Sequence, residues 1–228
     1  MTTIRIRSTL AVMGAMHEIA ENYEAATIEA DFAPTVALLE RLRGGETADI
    51  AILTAQGIDD LIAQGIVRPG TRTDMAQSFV GIAVRAGAPK PDISSVDAFK
   101  ATLLAARAVA YSRIGASGIA FAALLDRLGI AASVNTLVVP SGFTAERLVT
   151  GEADLAVQQI SELMMVPGIE VVGPLPPEIQ TVATFSAGLL TQSTEAAALL
   201  RVLASPAIAP ILRRTGLEPA EPRPARTC

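Results

Sequence analysis

One segment of this chain is written twice. Glu40-Arg41-Leu42-Arg43-Gly44-Gly45-Glu46-Thr47-Ala48-Asp49-Ile50-Ala51-Ile52 aligns, with one residue gapped, to Glu146-Arg147-Leu148-Val149-Thr150-Gly151-Glu152-Ala153-Asp154-Leu155-Ala156-Val157, about 105 residues later. Each copy reads as a helix end, a glycine turn and a buried strand. Such units recur in any α/β chain, so the echo is either coincidence or the trace of two lobes built on one plan. Two copies are too few for a solenoid or propeller.

The flanking sequence keeps the same rhythm. Strand-like stretches at 4–7, 27–32, 49–53, 108–111, 136–139 and 154–158 alternate with helical patterns at 10–23, 35–42, 117–128 and 144–150. The alternation predicts an α/β fold with parallel strands covered by helices. Two longer apolar strands, Phe79–Val84 and Thr181–Leu190, lie next to the loops Gly87-Ala88-Pro89-Lys90-Pro91 and Gly173-Pro174-Leu175-Pro176-Pro177. They are read as crossings from one lobe to the other and back. The expected domains are 1–82 plus 188–217 for lobe one, 83–187 for lobe two, and a flexible Pro-rich tail at 218–228.

Composition removes several functions. Half of the 228 residues are hydrophobic and 18% are charged, which excludes a disordered chain. Eighteen Lys and Arg against 23 Asp and Glu, with no Trp, leave no basic or stacking surface for nucleic acid. Apolar runs stay far below the roughly 18 residues of a membrane span. The lone cysteine, Cys228, excludes an internal disulfide and a cysteine zinc site. The lone histidine, His17, reads as a partly exposed helix residue, with no second ligand or nucleophile beside it. No P-loop and no Gly-x-Gly-x-x-Gly segment occurs, so no cofactor and no metal is expected. The chain opens directly into a strand without a leader pattern. The expected location is cytoplasmic for the chain as written, or periplasmic if a leader has been removed, and a transporter partner is not favoured.

The remaining chemistry lies in hydroxyl residues where strands hand over to helices: Ser8 and Thr9, Thr35, Ser112 and Ser117, and the Ser141-Gly142-Phe143-Thr144 turn. Helix N-termini present unpaired N–H groups and a partial positive charge, and so attract anions. Each hydroxyl either caps its helix or faces a ligand. Arg113 is either a solvated loop residue or a bidentate carboxylate partner. Gln158 and Gln159 end a buried strand at its carboxyl end, where α/β proteins bind ligands. Asp49 and Asp154, opening equivalent strands, are read as structural.

These residues resemble the type 2 periplasmic binding proteins, and within them the molybdate-binding-protein-like family. The resemblance spans about residues 3–217. It rests on Ala11-Val12-Met13-Gly14-Ala15-Met16, Gly44-Gly45-Glu46-Thr47-Ala48-Asp49-Ile50, Ala116-Ser117-Gly118-Ile119 and Gly151-Glu152-Ala153-Asp154-Leu155-Ala156. It implies two α/β lobes, each a mixed sheet flanked by helices, joined by two crossing strands and holding an anion in the cleft. By the same resemblance the family's ligand positions fall at Ala11, where the family has serine, at Thr35, Ser117 and Phe143 (a backbone donor), and at Gln159, where the family has tyrosine. The two departures make molybdate or tungstate the less expected ligand. Gln158-Gln159-Ile160-Ser161-Glu162 and Val171–Gln180 look like a divergent branch near aconitate isomerase.

Two functions follow as expectations. One is a solute-binding protein for a small organic anion, a di- or tricarboxylate. The other is an aconitate-isomerase-like enzyme that shifts a proton on an allylic tricarboxylate. Such an enzyme needs a base, and Glu162 or a hydroxyl would have to be tuned for it.

Overall fold

The computed structural model describes residues 2–221. The chain divides into two compact units, the first running to Gln77 and resuming at Thr184, the second spanning Ser78–Ala183. Their boundaries lie a few residues before the 82/83 and 187/188 positions expected from sequence.

Unit one begins with β1 (Thr3–Thr9), a 3-10 turn (Leu10–Val12) and α1 (Met13–Asn22). It continues through β2 (Thr27–Ala33), α2 (Thr35–Arg43), β3 (Ile50–Thr54) and α3 (Ala55–Ala63) to β4 (Thr73–Arg85), whose second half belongs to unit two. β1 lies between β2 and β3, parallel to both, with Ile6 opposite Ala30 and Ile50. Unit two then forms α4 (Val96–Ala105), β5 (Val109–Tyr111), α5 (Ala116–Arg127), β6 (Thr136–Val138), α6 (Glu146–Val149), β7 (Leu155–Gln159), α7 (Ile160–Leu163) and β8 (Ile169–Pro174). β5 lies between β6 and β7, again parallel to both, with Val109 opposite Thr136 and Leu155. The chain returns to unit one through β9 (Val182–Leu189) and closes with α8 (Thr194–Leu203), α9 (Ala209–Arg214) and β10 (Glu218–Pro219). β9 pairs antiparallel with β3 in unit one, and β4 pairs antiparallel with β7 and β8 in unit two.

The two units therefore repeat one topology, and the sequence echo marks its most constrained part. In the first copy Arg41 binds Glu46 at 2.5 Å, and Arg7 joins it at 2.6 Å. These two guanidinium groups pull the Glu46 carboxyl down to about 2. In the second copy Arg147 binds Glu152 at 3.2 Å. Asp49 accepts the Arg5 N–H at 2.9 Å, and Asp154 accepts the Arg107 N–H at 2.8 Å. Each aspartate thus anchors its strand to the neighbouring one.

Strand alternation explains how helices cover both faces of the unit two sheet. Val109 and Tyr111, Leu155 and Val157, and Val80, Ile82 and Val84 point into a core with Phe99, Leu103 and Phe121. The intervening Ala83, Ala110 and Ala156 point to the other face, against Ala145, Leu148 and Leu163. Large residues fill the space under α4 and α5, while alanines let α6 and α7 approach closely. Unit one packs Leu38, Leu42, Leu53, Ile58 and Leu61 in one such layer.

Several elements differ from the sequence expectations. The helix expected at 10–23 starts as a 3-10 turn, and that at 144–150 is a single turn, Glu146–Val149. Helices α3, α4, α8 and α9 were not anticipated. The expected tail begins as a strand, with Glu218 and Pro219 opposite Gln77 and Ala76; residues 222–228, including Cys228, lie outside the described residues. Among the described residues no single helix is long and apolar enough to cross a membrane.

Candidate functional site

In unit one, the end of β1 and the start of α2 carry the expected residues. Ser8, Thr9 and Ala11 are all buried. The Ser8 hydroxyl donates to the Thr9 carbonyl at 3.1 Å, which commits its proton to the local turn. Thr35 is the first residue of α2, behind Pro34, and nothing caps that helix. Its hydroxyl is buried without a hydrogen-bond partner. A buried hydroxyl of this kind calls for a partner that the protein itself does not supply. His17 is exposed and meets Phe32 edge-on at 5.3 Å.

In unit two, the candidates gather at the carboxyl ends of β5 and β7. The chain turns from β5 into α5 through Ser112-Arg113-Ile114-Gly115. The Ile114 N–H donates to the Ser112 hydroxyl at 3.4 Å, and no side chain caps α5. Ser117, in the first turn of α5, is buried. Gly118 lets that turn rest on the preceding loop, because a Cβ there would fall 1.3 Å from the Ser112 carbonyl oxygen. Arg113 donates from Nε to the Tyr111 hydroxyl at 2.9 Å. No carboxylate among the described residues forms an ion pair with it.

The Gly142-Phe143-Thr144 turn is fixed by Gln158. The Gln158 Oε1 accepts from the Thr144 N–H at 2.8 Å and from its hydroxyl at 2.9 Å, while Nε2 donates to the Gly142 carbonyl at 3.3 Å. Gly142 has φ 78°, a left-handed conformation that suits glycine. The Phe143 N–H donates to no acceptor among the described residues, so the turn presents a free donor. Gln158 therefore shapes the turn with most of its amide.

Gln159 behaves differently. It is 1% exposed and forms a capping box with Glu162, its side-chain oxygen facing the Glu162 N–H, while its Nε2 lacks a hydrogen-bond partner. Its N–H donates to the Glu162 Oε2 at 3.3 Å. Glu162 itself is 7% exposed, and no cation among the described residues pairs with it. Burial pushes the Glu162 carboxyl up to about 7, against the weaker lowering effect of the Gln159 N–H and the Gln158 amide. Next to it the Ser161 and Ser78 hydroxyls lie 3.4 Å apart, both buried. Ser78 was not among the expected residues, because it stands just before the apolar run Phe79–Val84 and carries no local signal. A recess lined by Arg85, Thr102, Arg107 and Asp154 opens at the other ends of β5 and β7 and shares no residue with this cluster. Among the described residues no group of His, Cys, Asp or Glu side chains could hold a metal ion.

Residues 4–218 match the family described as bacterial extracellular solute-binding protein. The chain belongs to this solute-binding family. Along its length it is similar to an aconitate isomerase from a Pseudomonas species, with 38% identity covering 98% of this chain and 90% of the relative. Among solved structures, the periplasmic molybdate-binding protein of Azotobacter vinelandii superposes with a TM-score of 0.77 at 14% identity, covering 96% of this chain and all of that one. The substrate-binding domain of a molybdenum transporter from Clostridium difficile gives 0.70 at 15% identity, covering 97% of this chain and all of that one. At these identities the two structures establish the fold that this solute-binding protein shares with them: a type 2 periplasmic-binding-protein-like α/β architecture.

Proposed function

We propose that this protein binds a small organic tricarboxylate of the aconitate type and interconverts its double-bond isomers. The observation that carries the reading is the buried Gln159 amide, whose Nε2 donor lacks a partner. A buried donor of this kind calls for an acceptor from a ligand, and a polycarboxylate offers several carboxylate oxygens that can supply it. The full-length similarity to an aconitate isomerase supports the same ligand class. In this reading the free Phe143 N–H, Ser112, Ser117 and the uncapped start of α5 hold a carboxylate, and Arg113 pairs with one through its remaining N–H groups. Family membership makes the periplasm a candidate compartment.

A second reading keeps the ligand and removes the chemistry: a non-catalytic carboxylate-binding protein, favoured by the family description. Incubation with cis- and trans-aconitate, followed by proton NMR, separates the two. Interconversion is the expected result. Binding by calorimetry without turnover would leave the binding protein, and tight binding of molybdate with none of aconitate would overturn both.

A further inference from the structure

An allylic isomerisation needs one group that removes a carbon-bound proton and gives it back. Most of the side chains around the β7 end are unsuited to that task. Among the described residues, no hydrogen bond joins the hydroxyls of Ser78, Ser112, Ser117 and Ser161 to a histidine or a lysine. Arg113 stays protonated, and the amides of Gln158 and Gln159 do not titrate. Glu162 is a carboxyl within the same four-residue segment as the Gln159 amide, and it accepts the Gln159 backbone N–H at 3.3 Å. It is buried without a counter-cation, yet it retains more accessible surface than Gln159.

Resting on the isomerase reading above, we infer that Glu162 is the catalytic acid–base residue. Its carboxylate takes a proton from the methylene carbon of the bound tricarboxylate. The C–H electron pair becomes the new C=C bond, and the pair of the old C=C bond moves to the far allylic carbon, delocalised into the carboxyl group attached there. The resulting Glu162 carboxylic acid then delivers the proton to that carbon. Ligand and Glu162 together conserve every atom and electron, so no oxidant, reductant or second substrate takes part. The Gln159 Nε2 and the free Phe143 N–H stabilise the negative charge as it develops. Burial suits Glu162 to both halves of the step, since a carboxyl that titrates near neutrality accepts a proton and releases it at comparable cost.

Glu162 also holds the Gln159 N–H, so the test must separate catalysis from local structure. Glu162→Gln keeps the size and an oxygen acceptor. It is expected to lower kcat by roughly a hundredfold or more while the aconitate Kd stays within about threefold. It is also expected to abolish exchange of the ligand's methylene hydrogens with solvent deuterium, followed by NMR. Glu162→Asp keeps the charge but draws it back by one methylene, and is expected to lower kcat with little change in the melting temperature or in the Kd. A Glu162→Gln protein that folds, binds and still isomerises within tenfold of the parent rate overturns the assignment and leaves the isomerase reading standing. Absence of turnover in the parent protein, with aconitate bound, overturns the isomerase reading and this assignment with it.

Discussion

A methyl group on residue 118 would sit 1.3 Å from the Ser112 carbonyl oxygen, closer than any non-bonded contact allows. Gly118→Ala must therefore push α5 off the loop that carries Ser112 and Arg113. The expected cost is about 1–3 kcal/mol or somewhat more, as for other overpacking changes, read by urea denaturation. Ligand affinity should fall as well, because the same movement displaces Ser117. A variant as stable as its parent, with unchanged affinity, would show that this loop lies outside the site. Arg113→Ala tests the loop without straining it. With an exposed guanidinium that has no carboxylate partner, the change should leave stability intact and weaken aconitate binding by roughly tenfold to a hundredfold, the effect of losing a charge-assisted hydrogen bond. Glu162 carries a stability signature of its own. Its ordinary value of 4.5 is raised to about 7 in the folded chain, so between these limits the native state binds the proton more readily than the unfolded state does. Its contribution to stability is therefore most favourable below about pH 4.5 and falls as pH rises through 7, by on the order of 3 kcal/mol in all. Glu162→Gln should gain stability over the parent between pH 5 and pH 8, and identical pH slopes for the two proteins would show that the carboxyl is not desolvated.

Among the elements, the short α6 turn and β7 show how one amide organises a loop. Gln158 accepts from both the N–H and the hydroxyl of Thr144 and donates to Gly142. Gln158→Leu keeps the bulk but removes these three contacts. The 141–145 turn should then exchange its amide hydrogens faster, and binding should weaken while β7 stays protected. Protection unchanged at Thr144 would overturn this role. The echo, the alternation of strands with helices and the carboxyl-end position of Gln158 and Gln159 were legible in the sequence, because periodicity and glycine turns are local signals. The different fates of the two glutamines were not. Both end the same buried strand, and only the tertiary position of Thr144 decides that Gln158 is consumed by the fold while the Gln159 Nε2 is left without a partner. Pro34-Thr35 was legible as a helix start with a hydroxyl, but the missing cap bond became visible only in three dimensions. Helices α3 and α4 were not expected from the sequence, although the hydroxyl caps Thr54 and Ser95 mark their starts.

At the scale of the whole molecule, the repeated topology gives each unit its own supply of anion-attracting groups. Each unit ends its parallel strands at helix starts, so polar N–H groups and hydroxyls recur in both without further sequence specialisation. Only the second copy adds the Gln159 and Glu162 pair. A ligand that binds the native chain and not the unfolded one stabilises it by mass action, by about 2.7 kcal/mol when present at about a hundred times its Kd. For a chain of 228 residues that corresponds to a melting temperature raised by roughly 5–10 °C. Trans-aconitate, cis-aconitate and molybdate should therefore separate cleanly in thermal melts: concentration-dependent shifts with both tricarboxylates, and none with molybdate at the same concentration. Arg113→Ala should move the aconitate curve to higher ligand concentration without changing the melting temperature of the free protein. A shift produced by molybdate alone would overturn the carboxylate reading for the molecule as a whole, because it would mean that the oxyanion chemistry of the structural neighbours survives the change to Ala11 and Gln159.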